Sequence, residues 1–192
     1  MEPIDGVEVL FFEDDDRLEA WLAEHHGLAA GVWLKLAKKS SGIRSVTPGQ
    51  VIDVALCYGW IDGQRRSLDA SYYLQKITPR RARSQWSQVN VGKVAALEEA
   101  GRMRDPGRAQ VEAAKADGRW EAAYASQKTA SVPPDLAAAL DAAETAKAFF
   151  DRLNKTDRYG VILQLLRART PTARAAKLES VMALLEAERK PQ

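Results

Sequence analysis

An α+β fold, with a small mixed or antiparallel sheet and helices in its N-terminal half and an all-helical C-terminal module, is predicted by three observations. The β-branched and aromatic runs, Val7–Phe11, Gly31–Ala37, Trp60–Arg66 and Tyr72–Ile77, all precede residue 80. After Trp86 the chain becomes Ala-rich and its apolar residues fall at helical spacing. Ser131-Val132-Pro133-Pro134 then interrupts that texture. The expected division is an α+β domain with trailing helices over 1–130 and a helical module over 131–192.

Each element has a local reason. Val7–Phe11 reads as a strand. Asp14–His26 follows as a helix, with Leu18, Trp21, Leu22 and His25 on one face and acids crowding its first turn, where they meet the positive helix end. Val32, Leu34 and Leu36 alternate onto one face of the next strand. Lys38–Gly42 has loop composition. Thr47-Pro48 supplies an N-cap and a preorganised first turn for a helix that buries Val51, Ile52, Ala55 and Leu56 and stops at Gly59. Trp60–Arg66 and Tyr72–Ile77 form a hairpin around Leu68-Asp69-Ala70, which favours antiparallel pairing there. Val94–Ala100 lies in a helix closed by Gly101, and Asp105-Pro106 opens another that ends at Gly118. Trp120 and Tyr124, four apart, fit one helical face. Leu136, Leu140, Ala146, Phe149, Phe150, Leu153, Ile162, Leu163, Leu166, Leu178, Val181, Met182 and Leu185 fit three or four short packed helices.

Composition narrows the function classes. The 192 residues include one cysteine, which excludes an intramolecular disulfide and a Cys-based zinc site. Adjacent His25 and His26 diverge by about 100° on a helix, so no metal site is expected. Phosphate-loop, dinucleotide and nucleophile-elbow motifs do not occur, and no cofactor is expected. No apolar run approaches the roughly 20 residues of a membrane span. The acidic start, without a basic and then apolar leader, makes the cytoplasm the expected compartment. The net charge of +2 hides a split: residues 1–24 carry nine acids and one base, leaving the remainder strongly basic. Ala70–Leu97 contains no acid but holds Lys76, Arg80, Arg81, Arg83 and Lys93. A second basic cluster runs through Arg152, Lys155, Arg158, Arg167, Arg169, Arg174 and Lys177.

Two stretches carry candidate chemistry. In 72–87, basic residues alternate with aromatics and hydroxyls, giving an anion site of Arg65, Arg80, Arg81 and Arg83 flanked by Tyr72 and Trp86. Guanidinium forks grip phosphate or carboxylate, aromatic rings stack bases, and Ser84 and Ser87 can cap the following helix. The bland alternative is a solvated basic loop whose arginines bridge to the acidic N-terminal stretch. On the first view, Arg80→Glu with Arg81→Glu abolishes polyanion binding and spares the fold. In 57–66, a thiol, a phenol, an indole, a carboxylate and two guanidiniums crowd a helix-to-strand corner. Tyr58, Trp60 and Asp62 line the alternative pocket, for an enzyme acting on a small anion. Cys57 sits at the wrong helix end for a stabilised thiolate and reads as a small core residue.

The runs Gly31–Gly42, Ala55–Gln64, Thr78–Ser87 and Ala113–Trp120 resemble the YdeI/OmpD-associated family of bacterial proteins. The tail, from Val132–Leu136 through Ala148–Phe150 to Arg174–Lys177, resembles that family's C-terminal helical OmdA-type module. The resemblance spans nearly the whole chain after about residue 28. It implies a link to bacteriocin protection, to resistance against cationic antimicrobial peptides and to a porin of the outer membrane. It supplies no catalytic residue. The resulting expectation is a non-enzymatic protein of envelope or antimicrobial stress that binds a phosphate, a polyanion or an acidic protein partner. Oligomeric state is open at this level.

Overall fold

The computed structural model describes residues 2–190. Its elements run β1 (Val9–Leu10), α1 (Asp15–His25), β2 (Val32–Ala37), a 3-10 turn (Lys39–Ser41), α2 (Pro48–Cys57), β3 (Trp60–Ser67), β4 (Tyr72–Pro79), α3 (Gln88–Glu99), α4 (Asp105–Ala116), α5 (Pro134–Asp141), α6 (Glu144–Arg152), α7 (Lys155–Leu166) and α8 (Pro171–Glu186). They divide into two compact units, Met1–Trp86 with Asn90–Ala122 and Ser87–Val89 with Ala123–Gln192. The architecture is the expected one: a mixed sheet with helices, followed by a helical module.

In the first unit the sheet order is β1-β2-β4-β3, with β1 parallel to β2 and the other pairs antiparallel. Pairing places Val32, Leu34, Leu36, Tyr73, Gln75 and Ile77 on one face and Trp33, Lys35, Tyr72, Leu74 and Lys76 on the other. The first face is the core side: Val32, Leu34, Leu36 and Ile77 are fully buried, as are Leu18, Leu22, Val51 and Val54 from α1 and α2. Caps fix both helices. Asp14 Oδ1 accepts from Arg17 N at 3.1 Å, and Thr47 and Gln50 form a reciprocal capping box at α2. The hairpin turn is held by Asp69, whose carboxylate accepts from the Ser71 and Tyr72 amides. The outer face carries a small second cluster of Val7, Val9, Trp33 and Leu74.

Two elements differ from expectation. The first strand is only Val9–Leu10, because Ile4 and Val7 exchange backbone hydrogen bonds and the turn between them runs through left-handed Asp5 and Gly6. Trp120 and Tyr124 share no helix, since 117–122 are turns. Gly118 (φ +75°) ends α4, and Asp117 accepts from the Arg119 backbone and side chain, so the chain cannot continue the ladder. Trp120 instead packs edge-on to Trp86, and Tyr124 bridges to Ser87.

In the second unit, α5–α8 bury Leu136, Leu140, Ala146, Phe150, Val161, Ile162, Leu165, Val181 and Leu185 together. Arg174 grips Asp135 with both arms of its guanidinium, at 2.6 and 2.8 Å, and donates to the Leu165 carbonyl. That hydrogen-bonded pairing holds the Asp135 carboxyl below its ordinary value of 3.8. A carboxyl whose folded value is depressed contributes stability that is complete above the unfolded value and disappears as pH falls through the folded one. Between pH 7 and pH 3 the urea midpoint of the wild type is therefore expected to fall further than that of Arg174→Met, which lacks the linkage. Parallel midpoints in the two proteins overturn this assignment.

Candidate functional site

A cleft of about 630 Å³ opens in the first unit where β2 ends. Its walls are the 3-10 turn, the loop that follows, the start of α2 and Tyr73 of β4. The loop folds this way because its polar groups are used locally. Gly42 (φ +68°) reverses the chain after the 3-10 turn. Ser45 Oγ accepts from the Ala37 amide at 2.9 Å and donates to the Val46 carbonyl. Val46 N donates to the Phe12 carbonyl. Thr47 caps α2, and Gln50 is tied onward to Asp15. The Ser45 and Thr47 hydroxyls are thus structural. The charge at the cleft comes from Lys38 and Lys39. Lys38 Nζ reaches the Asp69 carbonyl at 2.6 Å, whereas Lys39 is exposed. The cleft lining holds no carboxylate, thiol or imidazole.

Behind the cleft, Tyr73 is backed by Arg65, whose guanidinium lies 4.9 Å from the ring centre. Arg65 Nε donates to Gln75 Oε1 at 3.0 Å. A register shift between Asp62 and Arg65 turns the Gly63 and Gln64 carbonyls inward, where buried Gln75 donates to both. Arg65 therefore faces the core side of the sheet. Tyr72, one residue from Tyr73, faces the outer side, with Lys35 Nζ 3.8 Å from its ring centre. Arg66 and Lys76 lie over Trp33 on that same outer side.

The six residues of the expected anion site are spread out. Arg80 and Trp86 do meet, but in the interior: Arg80 is 5% exposed and its guanidinium lies 3.5 Å from the Trp86 ring centre. Arg80 Nη1 donates to the Gln85 carbonyl, and buried Arg119 donates to the Ser84 carbonyl. Two buried arginines thus pin the 81–85 loop from beneath, and Arg81 and Arg83 stand in solvent. Tyr72 begins the strand that Arg80 follows, about 25 Å away along an eight-residue strand. The acids of the N-terminal stretch pair elsewhere, Asp5 with Arg66, Asp14 with Arg44, and Glu19 with Arg102 and Arg104.

The alternative corner is a packing junction. Trp60 is fully buried, with its indole donating to the His26 carbonyl at 2.8 Å and packed edge-on to Trp21. Tyr58 is nearly buried and hydrogen-bonds Arg104. Asp62, half-exposed, sits beside Ile77 on the sheet. Burial pushes the Cys57 thiol up to about 11, away from a nucleophile's range. Among the described residues no group of three or more His, Cys, Asp or Glu is placed to hold a metal ion, and no helix is long and apolar enough to cross a membrane.

Residues 10–110, more than half of the chain, match the family model described as Domain of unknown function (DUF8412). The chain belongs to this family. The DUF8412 match contains the whole cleft, from Ala37 to Pro48 and Tyr73. Residues 129–188 match a second model, described as Bacteriocin-protection, YdeI or OmpD-Associated. The likeness to the YdeI/OmpD-associated proteins is therefore carried by the C-terminal segment, while the runs at 31–42, 55–64 and 78–87 fall within DUF8412. No curated protein and no solved structure gives a match.

Sequence reasoning passed over Lys38 and Lys39 as loop, Thr47 as cap and Tyr73 as strand, and made no assignment for Ser45. The available signal was the pair of lysines in the loop that leads from β2 to the Thr-Pro helix start.

Proposed function

We propose that the protein is a non-enzymatic binding protein for a small anionic molecule, held in the cleft at the start of α2. One observation carries this: a concave site of small-molecule size has Lys38 and Lys39 in its wall and no acid. The lining also supports binding over group transfer, because its two aliphatic hydroxyls are already committed to the loop and cap. The C-terminal match supports a setting in bacteriocin or antimicrobial-peptide protection. Calorimetric titration with sugar phosphates, nucleotides and small dicarboxylates tests the proposal. At least one is expected to bind, and Lys39→Glu to weaken it about tenfold with an unchanged melting temperature, since Lys39 is exposed. Absence of binding across the panel, or an unaltered affinity in Lys39→Glu, overturns it.

A second reading is polyanion binding on the outer sheet face. It is favoured by the registered positions Trp33, Lys35, Tyr72, Lys76 and Arg66, where cations lie over aromatic rings. Such a surface would bind heparin or single-stranded nucleic acid with an affinity that falls steeply with salt. Lys35→Glu with Lys76→Glu would abolish it, while Lys39→Glu would not.

A further inference from the structure

The second unit contains a separate cavity of about 400 Å³ between the 126–130 loop and α7. Lys155, Arg158, Tyr159 and Ile162 line it at the i, i+3, i+4, i+7 spacing of one helix face. The loop is tied over it by two hydrogen bonds, Tyr159 Oη to the Ala125 carbonyl at 2.9 Å and Gln127 Nε2 to Thr156 Oγ1 at 3.2 Å. The lining has two characters. Ala130, Leu153 and Ile162 supply an apolar floor continuous with the core of the unit. Lys155 and Arg158 supply positive charge, and no acid lines the cavity.

Arg158 is already fixed in place. Its Nη2 donates to the Asp151 carbonyl at 2.8 Å, and its guanidinium lies over the Phe150 ring. Its Nε is buried and has no hydrogen-bond acceptor. The nearby acid on α7, Asp157, is engaged by Lys190 and Asn154. A preset guanidinium and an exposed ammonium beside a hydrocarbon floor match one ligand chemistry: a carboxylate joined to an aliphatic body. We infer that this cavity binds an aliphatic monocarboxylate, with the acid group on Lys155 and Arg158 and the hydrocarbon on Ala130, Leu153 and Ile162. A free short-chain acid and the C-terminus of a peptide ending in an aliphatic residue present this same chemistry.

The test is methyl NMR of the full chain titrated with octanoate, with N-acetyl-leucine and with a tetrapeptide ending in leucine. Saturable shifts of the Leu153 and Ile162 methyls are expected from at least one. If octanoate binds tightest, the source is a free acid; if the tetrapeptide does, it is a chain terminus. Octanamide, N-acetyl-leucinamide and acetate are each expected to bind at least tenfold more weakly. Lys155→Met is expected to weaken binding about tenfold, and because Lys155 is exposed it tests the inference without touching the Arg158–Phe150 packing. No saturable shift from any of the three acids, equal responses to acid and amide, or an unchanged affinity in Lys155→Met overturns the assignment.

Discussion

Arg80→Glu is expected to lower the melting temperature by about 10 °C, whereas Arg81→Glu and Arg83→Glu leave it within about 2 °C. The three positions lie within four residues of sequence and are separated by burial. Arg80 stacks on Trp86 in the interior and donates to the Gln85 carbonyl. A desolvated cation–π contact is worth about 2 kcal/mol, and a hydrogen bond from a charged group about 1.5–3 kcal/mol. For a chain of this length each kcal/mol moves the midpoint by about 2–4 °C. Glutamate adds a buried negative charge against an aromatic face. The expectation from sequence that a double Arg80, Arg81 reversal spares the fold is thereby replaced: only the Arg81 half is harmless. Differential scanning calorimetry of the three single variants decides it, and an Arg80→Glu midpoint close to wild type refutes the stack as a stability element.

Gly107→Ala is expected to cost about 3 kcal/mol, and Gly92→Ala to add about 0.5–1 kcal/mol, although both glycines are helical. Helix propensity alone predicts a gain at each. The difference lies in the neighbours. A Cβ on Gly107 would stand 2.7 Å from the Leu56 carbonyl oxygen and closer still to that of Cys57, and neither backbone atom can rotate away. Helix α4 would have to lift off α2. A Cβ on Gly92 meets nothing within 4 Å. Denaturant midpoints of the two variants should move in opposite directions; movement in the same direction would show that the α2–α4 approach is soft.

Much of the fold was legible because its signals are local. The acidic first turn of α1, the Thr47 cap, the Asp69 turn and the alternation of Val32, Leu34 and Leu36 each act within a few residues, and each is found as expected. The shortened first strand was hidden because Val7 favours strand by composition, while its bridge to Ile4 across the left-handed turn at Asp5-Gly6 takes it out of the sheet. Trp120 and Tyr124 misled because spacing of four also arises by chance in a turn. The site was less legible than the fold. Basic and aromatic density marked residues 72–87, but alternation along β4 sends Tyr72 and Tyr73 to opposite faces, and burial takes Arg80 out of solvent. The cleft draws on the end of β2, a 3-10 turn, a helix start and β4, and only the β2–β4 pairing brings Tyr73 beside Ala37–Pro48. No local pattern encodes that encounter.

The buried thiol of Cys57 gives the molecule a chemical clock. Its carbonyl accepts from the Arg104 amide, and α4 closes over it at Gly107. Burial raises its pKa and keeps the thiol protonated at neutral pH in the closed state. An aromatic disulfide reagent would therefore modify the chain only in those moments when α2 and α4 part. As the chain has one cysteine, every modification event reports the same seam. At low reagent the rate measures how often that seam is open, and at high reagent how fast it opens. A single residue outside the proposed binding sites thus turns helix separation into a colour change.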